Sequence, residues 1–243
     1  MSARPFIVAI DGPAGAGKST VSRLLARRLD FSLVDTGAIY RCVALVASRE
    51  GAAFDDDARL QELLGRLQVS FKMEGDENRV FLGTEDVSAL IRTPAISMAA
   101  SKVSERPVVR HGLLALQRRL ALGAARGAIL EGRDIGTVVF PDAEAKFFLD
   151  AQADVRARRR YEELFQKGVD STLEDVLADQ DRRDKQDSTR EIAPLKAAED
   201  AVLIDSSSLP LSEVVRTIEK LVRERIKSRG SDGSGNEHAA HRR

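Results

Sequence analysis

The sequence predicts an α/β fold in which a five-stranded parallel sheet is covered by helices. Short apolar runs alternate with stretches of helical periodicity along the chain, as repeated strand–helix units do. The first apolar run, at 6–10, leads into a glycine-rich turn at 12–20. Apolar residues then recur at helical spacing from Val21 to Leu29. This strand, turn and helix form the first unit of the predicted sheet.

The turn after the first strand has the residue pattern of a phosphate-binding loop (P-loop). Its sequence, GPAGAGKST, contains a glycine, four free positions and then Gly-Lys-Ser. Glycines let backbone N–H groups surround an anion, and the following helix adds the positive end of its dipole. We expect Lys18 to reach the β- and γ-phosphates of a bound nucleotide and Ser19 to bind Mg²⁺. The predicted nucleotide-binding residues are Gly12, Pro13, Ala14, Gly15, Ala16, Gly17, Lys18, Ser19 and Thr20; the alternative is a turn that only joins strand to helix.

Composition narrows the functional classes. The 243 residues include 38 Lys and Arg against 38 Asp and Glu, so the zero net charge gives no reason to expect a nucleic-acid or membrane partner. Cys42 is the only cysteine and lies in an apolar helical stretch, which favours a small buried side chain over a catalytic thiol. No stretch is long and apolar enough to span a bilayer, and no secretory signal precedes the first strand. We expect a cytoplasmic, monomeric protein.

The second strand–helix unit offers a second binding site. A short strand at 31–35 is followed by a break at Thr36-Gly37 and a helix at about 38–49. Loops at the carboxyl ends of parallel strands line the ligand crevice. Asp35, Thr36, Tyr40 and Arg41 are therefore candidate ligands, although Arg41 alone is equally consistent with a surface salt bridge.

The next segment interrupts the strand–helix alternation. A helix at 55–66 is followed by alternating apolar and polar residues at 67–88, which predict a small antiparallel hairpin or meander. Pro94 and Pro107 each begin a predicted helix, the second at about 107–125. We interpret the antiparallel piece as an insertion on the core.

Charged residues follow the third predicted core strand. The run 128–130 leads into Glu131-Gly132-Arg133-Asp134, and the fourth core strand at 145–149 leads into Asp150. Arg133 and Asp134 would be costly to bury unpaired, so they either pair with each other or face a charged ligand. Their place after a core strand favours the ligand.

Two later helices carry unusual arginines. RARRR at 156–160 lies near the start of a helix whose other face holds Tyr161, Leu164 and Phe165. Cations at a helix N-terminus oppose its dipole, so an anion such as polyphosphate is expected there. In the helix at 173–190, Arg183, Asp187 and Arg190 share one stripe. An exposed ion-pair ladder is the open alternative for that stripe.

The last predicted elements are a strand at 201–205 and a helix with apolar residues from Val214 to Val222. From Lys227 the sequence is polar and rich in Gly and Ser, which predicts a disordered tail at 227–243 with solvated histidines. We therefore assign one domain to residues 1–226.

Two functional classes fit this pattern: a phosphoryl-transfer enzyme with a second small substrate, and a nucleotide-hydrolysing switch. A guanine-specific switch is expected to carry an Asn-Lys-x-Asp element, which the sequence lacks. Arginines outside the P-loop are instead numerous, and arginine clamps phosphate bidentately without losing its charge. Two multiply charged phosphates brought together need several such groups, which favours the transfer enzyme.

Five motifs in order resemble bacterial cytidylate kinases. They are IDGPAGAGKST at 10–20, DTGAIYR at 35–41, EGRDIGTVVFP at 131–141, FLDA with the arginine cluster at 148–160, and RDKQDSTREIAPL at 183–195. The similarity runs from about Phe6 to Val222. It implies a P-loop kinase fold and transfer of a phosphoryl group from ATP to CMP or dCMP with Mg²⁺. Related alternatives are a P-loop kinase for UMP or another metabolite, or a hydrolysing switch.

The resemblance also implies residue roles. The acceptor-binding positions are Thr36, Tyr40, Arg41, Ser101, Arg110, Arg133, Asp134, Arg183, Asp187 and Arg190. By analogy, Arg41 and neighbouring arginines take the phosphate, Asp187 the sugar, and Ser101, Arg110 and Asp134 the cytosine end. The expected catalytic residues are Lys18, Arg133, Arg156, Arg159 and Arg160.

The family's monophosphate-binding insert corresponds to about 60–105 and its lid to about 151–170. One departure from the family pattern is Glu131, which stands where Asp is common.

Overall fold

The computed structural model describes residues 4–166 and 168–234. Its strands are β1 (Phe6–Asp11), β2 (Ser32–Asp35), β3 (Val69–Glu74), β4 (Glu77–Leu82), β5 (Glu85–Asp86), β6 (Gly127–Gly132), β7 (Ala145–Asp150) and β8 (Val202–Asp205). Its helices are α1 (Lys18–Leu29), α2 (Thr36–Arg49), α3 (Asp57–Gly65), α4 (Pro94–Glu105), α5 (Pro107–Leu122), α6 (Ala153–Gln166), α7 (Leu173–Thr189) and α8 (Leu211–Ser234). A 3₁₀ turn at Leu90–Arg92 and a π turn at Ile135–Val139 complete the description.

The predicted five-stranded parallel sheet is confirmed. Its order is β2-β6-β1-β7-β8, so the strand that precedes the P-loop lies in the middle. β1 pairs in parallel with β6 and with β7, and the outer strands β2 and β8 pair in parallel with β6 and β7. All five strands therefore end at the same edge of the sheet.

Helices cover both faces of the sheet, and successive side chains of each strand point to opposite faces, so both sets of side chains are buried. Ile7 and Ala9 of β1 pack in the core shared with α2 and α5, whereas Val8 and Ile10 pack in the core shared with α1 and α8. This explains why β1 is apolar without alternation. Two cores, one on each face, hold the sheet edge in place.

The expected antiparallel insertion is also confirmed: β3, β4 and β5 form a three-stranded antiparallel sheet. Leu60 and Leu63 of α3 and Val80 of β4 are buried in the same core as α2. At the β3–β4 turn, the backbone carbonyl of Asp76 accepts a hydrogen bond of 3.0 Å from Arg23 of α1. The insertion thus shares its core with α2, and its β3–β4 turn also contacts α1.

Cys42 lies buried in α2, as predicted. Burial raises the pKa of its thiol to about 12. The thiolate is therefore a minor species at neutral pH, which agrees with a packing function.

Two element predictions differ from the structure. α2 begins at Thr36 rather than at about 38, because the Asp35 side chain caps it by accepting the Ala38 N–H at 2.9 Å. The second difference is at the C-terminus. On the apolar side of α6, Phe165 is 72% exposed and packs on Tyr161, with ring centroids 6.3 Å apart.

α8 continues past Lys227 to Ser234, where the sequence predicts disorder. Arg229 explains part of this extension, because its guanidinium pairs with Glu144 at 3.0 Å and donates to the Arg4 carbonyl at 2.7 Å. Residues 235–243, which include the predicted solvated histidines, lie outside the described residues. No helix within the described ranges is long and apolar enough to cross a membrane.

The two-sided core generates a stability prediction. Leu130 of β6 is fully buried, whereas Leu203 of the edge strand β8 is 69% exposed. Leu130→Ala removes buried methyl groups and leaves a cavity, so we expect the free energy of unfolding to fall by about 2–5 kcal/mol. The matched variant Leu203→Ala should change it by no more than about 0.5 kcal/mol. Urea unfolding followed by circular dichroism measures both; equal losses would contradict the assignment of the core.

Candidate active site

The residues predicted to bind nucleotide lie in the turn between β1 and α1 and at the start of α1. Gly12, Gly15 and Gly17 have positive φ angles of 147°, 76° and 89°. A Cβ at Gly12 would come within 1.9 Å of the Leu149 carbonyl oxygen, so no larger residue fits there. α1 has no side-chain cap at Gly17. Its first N–H groups are therefore suited to bind an anion.

Lys18 is folded back onto this turn. Its side chain is buried, and its Nζ donates a hydrogen bond of 2.6 Å to the Pro13 carbonyl. Burial, and then the positive charge of Arg133, lowers the pKa of Lys18 to about 7. A bound polyphosphate would reverse this shift, because a nearby anion favours the charged amine.

Ser19 faces a buried carboxylate. Its Oγ donates a hydrogen bond of 2.8 Å to Oε2 of Glu131, near the carboxyl end of β6. Burial, followed by the negative charge of Asp35, raises the pKa of Glu131 to about 7. A hydroxyl and a carboxylate are the oxygen ligands that Mg²⁺ uses beside substrate phosphates.

Within the described residues there is no cluster of three or more His, Cys, Asp or Glu side chains suited to hold a metal. Any metal at Ser19 and Glu131 would need further ligands from phosphates and water.

Acidic side chains mark the ends of all five parallel strands. Those of Asp35, Asp150 and Asp205 accept backbone N–H groups one to three residues further along. The carboxylate of Asp11 accepts the N–H groups of Ile135 and Gly136, at 2.8 and 2.7 Å. Burial raises the pKa of Asp11 to about 6. These carboxylates fix the loops that carry the predicted site residues.

The start of α2 brings the second group of candidates to this edge. Thr36 donates through Oγ1 to the Glu131 carbonyl at 2.7 Å, which ties α2 to β6. The Arg41 guanidinium lies beside Gly37, where an added Cβ would be 3.3 Å from Nη2. Among the described residues the Arg41 side chain has neither a hydrogen bond nor an ion pair. It is not the surface salt bridge that the sequence left open.

Arg110 and Asp134 form a buried ion pair, with 2.6 Å between Nη2 and Oδ2. The Arg110 guanidinium also lies over the Tyr40 ring, 5.6 Å from its centroid. Its Nε is buried and has no hydrogen-bond partner among the residues that the structure describes. Asp134 thus pairs with a distant arginine rather than with Arg133.

Arg133 reaches α7 instead. Its Nε donates to Oδ2 of Asp187 at 2.8 Å, and Arg190 pairs with the other oxygen of Asp187 at 3.3 Å. Nη2 of Arg190 is buried without a partner in the described part of the chain. Arg133, Asp187 and Arg190 therefore form one cluster. The stripe on α7 is not the exposed ion-pair ladder that was the alternative interpretation of the sequence.

Positive charge exceeds negative charge near this cluster. Arg183 pairs with Asp179 at 3.0 Å, and burial lowers its pKa while Arg160, Arg182 and Arg133 add to the decrease. Burial also lowers the pKa of Arg190, and Arg110 contributes. Partly buried guanidinium groups whose pKa values are lowered further by neighbouring positive charges favour a bound anion.

Ser101 of α4 contacts α7. Its Oγ donates to Oε1 of Gln186 at 3.2 Å, and Gln186 in turn hydrogen-bonds Glu105 through its amide nitrogen. α4 and α7 are therefore connected directly.

The arginine cluster of α6 makes contacts within the protein. Arg156 is buried and donates to carbonyls and to Asp184, whereas Arg159 donates to the Ser206 carbonyl at 2.6 Å. Arg160 pairs with Glu163 at 2.8 Å near the surface. Two of the three predicted catalytic arginines of this helix therefore anchor it to neighbouring loops.

Sequence reasoning missed four residues of this region: Asp11, Gln180, Asp184 and Gln186. Asp11 ends a strand directly before the P-loop, and that position could have indicated a carboxylate that accepts backbone N–H groups of a neighbouring loop. The three α7 residues had no such signal, because polar residues on an amphipathic helix are ordinarily solvated.

Comparison with known proteins decides the family. The family profile described as "Cytidylate kinase" matches residues 8–224. The chain belongs to the cytidylate kinase family. This confirms the resemblance drawn from the five motifs, and the matched range contains every residue predicted for the site. The chain is thus an ATP-dependent nucleoside-monophosphate kinase.

Curated relatives of this kinase carry the same name. One from Geobacter sp. (strain M21) is 56% identical over 220 residues, covering 90% of this chain and 94% of that protein. One from Geobacter sulfurreducens is 54% identical and covers 91% and 94%. One from Vibrio cholerae is 48% identical and covers 88% and 95%. A solved gluconokinase from Sinorhizobium meliloti 1021 is only 16% identical, with a TM-score of 0.47 over 94% of this chain and 97% of that one.

The raised pKa of Glu131 generates a pH prediction. The pKa of the Glu131 carboxyl is about 7 in the folded kinase and 4.5 in its ordinary state. Between pH 4.5 and pH 7 the folded state therefore holds a proton that the unfolded chain has released. The contribution of Glu131 to the free energy of unfolding therefore falls as the pH rises from 4.5 to 7. Glu131→Gln should flatten that decline.

Urea unfolding at several pH values between 4.5 and 7 measures the effect. Glu199→Gln, at an exposed position, is the matched control and should reproduce the wild-type slope. A Glu131→Gln slope that runs parallel to the wild-type slope would show that Glu131 titrates normally in the fold.

Proposed function

We propose that this kinase transfers the γ-phosphoryl group of ATP to CMP or dCMP at a single site formed by the P-loop, α2 and α7. The observation that carries the proposal is the position of Arg133. It lies near enough to Lys18 to lower the pKa of that amine, and its side chain is bonded to Asp187. Donor-binding and acceptor-binding residues therefore converge on one guanidinium group.

On the donor side, the amides of the P-loop and the N-terminus of α1 bind the phosphates of ATP. Lys18 leaves the Pro13 carbonyl and reaches the β- and γ-phosphates. This exchange is favourable because a phosphate anion binds an ammonium group more strongly than a neutral carbonyl does.

Ser19 and Glu131 would hold Mg²⁺ against the donor phosphates. The short contact between their oxygens and the high pKa of the Glu131 carboxyl support this assignment, since a cation favours the ionised form. When bound, the ion neutralises phosphate charge and fixes the phosphate oxygens.

On the acceptor side, Arg41, Arg183 and Arg190 bind the monophosphate with Arg133, and Thr36 helps to hold the α2 end of the site. Two observations support this assignment: the Arg41 side chain has no ion pair, and Nη2 of Arg190 has no hydrogen-bond acceptor among the described residues, although Nη1 pairs with Asp187. Asp187, which lies between Arg133 and Arg190, is proposed to bind the sugar.

Ser101, Arg110 and Asp134 are proposed to bind the cytosine end, with Tyr40 packed on Arg110. The buried, unpartnered Nε of Arg110 supports a ligand contact there, because a buried donor without a partner costs about 1–3 kcal/mol.

The α6 arginines contribute in two ways. Arg156 and Arg159 hold α6 against the P-loop and the loop after β8, and Arg160 turns from Glu163 toward the transferring group when the helix closes as a lid. Closure would exclude water from the site and so suppress hydrolysis of ATP.

No basic side chain is needed to activate the acceptor, because its phosphate oxygen is already an anion. Catalysis then consists of alignment of the two phosphates and stabilisation of the charge between them, by Lys18 on one side and Arg133 on the other. The family match gives no support to a hydrolysing switch.

We further propose that the enzyme acts as a monomer in the cytoplasm. The single thiol, Cys42, is buried, so it is not available on the surface for a disulfide with a second molecule.

Acceptor identity is tested by a coupled assay for ADP release with CMP, dCMP, UMP, AMP and shikimate. We expect CMP and dCMP to be used at least about tenfold more efficiently than the others, because the site binds a specific base edge. A preference for UMP or shikimate would contradict the acceptor assignment, and full ADP release without any acceptor would indicate a hydrolysing switch.

Lys18→Ala should lower kcat in the same assay by about 10³-fold or more, because a cation at the transferring phosphate is lost. Its fold should be retained. Lys102→Ala, at an exposed position on α4, is the control and should leave turnover unchanged. Near-normal turnover by Lys18→Ala would remove the P-loop from the mechanism.

Arg110→Lys tests the base site. The variant keeps the charge beside Asp134 but loses the planar donors, so we expect the KM for CMP to rise about tenfold or more. The KM for ATP should change by less than about twofold, since Arg110 does not touch the donor loop. Arg119→Lys, exposed on the same helix, serves as the control. Equal increases for CMP and ATP would contradict the assignment.

A further inference from the structure

α7 presents two adjacent stripes with different partners. Arg183, Asp187 and Arg190 form the stripe assigned to the acceptor. Gln180 and Asp184, four residues apart, form the second stripe and face α6 and the P-loop. The two stripes belong to one rigid helix, so a displacement of either moves both.

Arg156 connects the second stripe to the donor loop. Its Nη1 donates to the Ala14 carbonyl of the P-loop at 3.0 Å and to Oδ2 of Asp184 at 2.6 Å. Its Nε donates to the Ala151 carbonyl at 2.8 Å. The side chain is only 8% exposed and that of Asp184 is 22% exposed, so water screens this pair little.

A second contact lies beside the first. The Gln180 amide donates to the Ala153 carbonyl at the start of α6, at 3.0 Å. An added Cβ at Gly15 would be 3.0 Å from Arg156 and 3.2 Å from Oε1 of Gln180. The middle of the P-loop is therefore packed directly against both side chains.

We propose that Asp184 is a positioning residue that couples the donor loop to the acceptor helix through its ion pair with Arg156. Ordering of the P-loop around ATP fixes the Ala14 carbonyl, which fixes Arg156, which in turn holds Asp184 and the neighbouring acceptor stripe of α7. ATP therefore prepares the site for CMP, and by reciprocity CMP prepares it for ATP.

The coupling rests on the acceptor assignment made above for α7, but it requires more. The acceptor arginines could bind CMP on an α7 that is held in place by packing alone, independently of the donor. Under that alternative, Asp184 would affect stability or both affinities, but not their dependence on each other.

The test measures CMP binding by calorimetry, with and without a saturating nonhydrolysable ATP analogue and Mg²⁺. In the wild-type kinase we expect the analogue to tighten CMP binding by a factor in the range of about 5–150. Asp184→Asn keeps the side-chain volume and removes the charge. It should reduce this factor to less than about twofold while the CMP affinity without analogue changes little.

Arg156→Lys should lower the enhancement factor in the same way, and the double variant should lower it no further, because both changes remove the same link between the P-loop and α7. Asp181→Asn, at an exposed position on α7 one helical turn from Asp184, is the matched control and should retain the wild-type factor. Thermal unfolding of each variant verifies the fold.

The outcomes separate the two proposals. A wild-type chain that does not bind CMP, or Arg190→Lys with unaltered CMP affinity, would contradict the acceptor site itself. A wild type without enhancement by the analogue, or an Asp184→Asn variant that retains it, would overturn the coupling while leaving the acceptor site intact. Equal weakening of both affinities with an unchanged factor would also overturn it.

Discussion

The proximity of Arg133 to Lys18 is the electrostatic constraint around which this structure is organised. Lys18 is buried and Arg133 is half-buried, so their mutual repulsion adds to the loss of hydration, and a bound anion would relieve both. The fold offsets this with Asp187, Glu131 and Asp11, each of which lies at a fixed point near one of the cations. The remaining surplus of positive charge matches two phosphates brought together.

The parallel sheet makes this concentration of charge possible. Because all five strands end at one edge, segments far apart in sequence deliver their loops to the same place. The two apolar cores hold that edge rigid from both faces. The strand-end carboxylates then fix the loops themselves, as the two hydrogen bonds from the π turn to Asp11 illustrate. The sheet, its two cores and these carboxylates thus hold positively charged side chains close together despite their mutual repulsion.

Stability and function oppose each other in this site. Burial moves the pKa values of Lys18 and Glu131 toward neutrality, so both groups are held in an environment that disfavours their charged forms. Such an arrangement costs folding free energy and is typical of residues retained for chemistry. α7 has a comparable double position, because one of its stripes carries the residues proposed for the acceptor while the other is linked to the P-loop through Arg156.

The sequence alone determined the phosphate-binding loop, the strand–helix alternation, the antiparallel insertion and the family, because these depend on local periodicity and on residues adjacent in the chain. It also selected Arg110, Arg133, Asp134, Asp187 and Arg190. Only the tertiary structure decided their partners: Arg133 pairs with Asp187, which is 54 residues away, and Arg156 with Asp184, which is 28 residues away. Pairing at such separations depends on where strands and helices pack, and no short-range pattern records that.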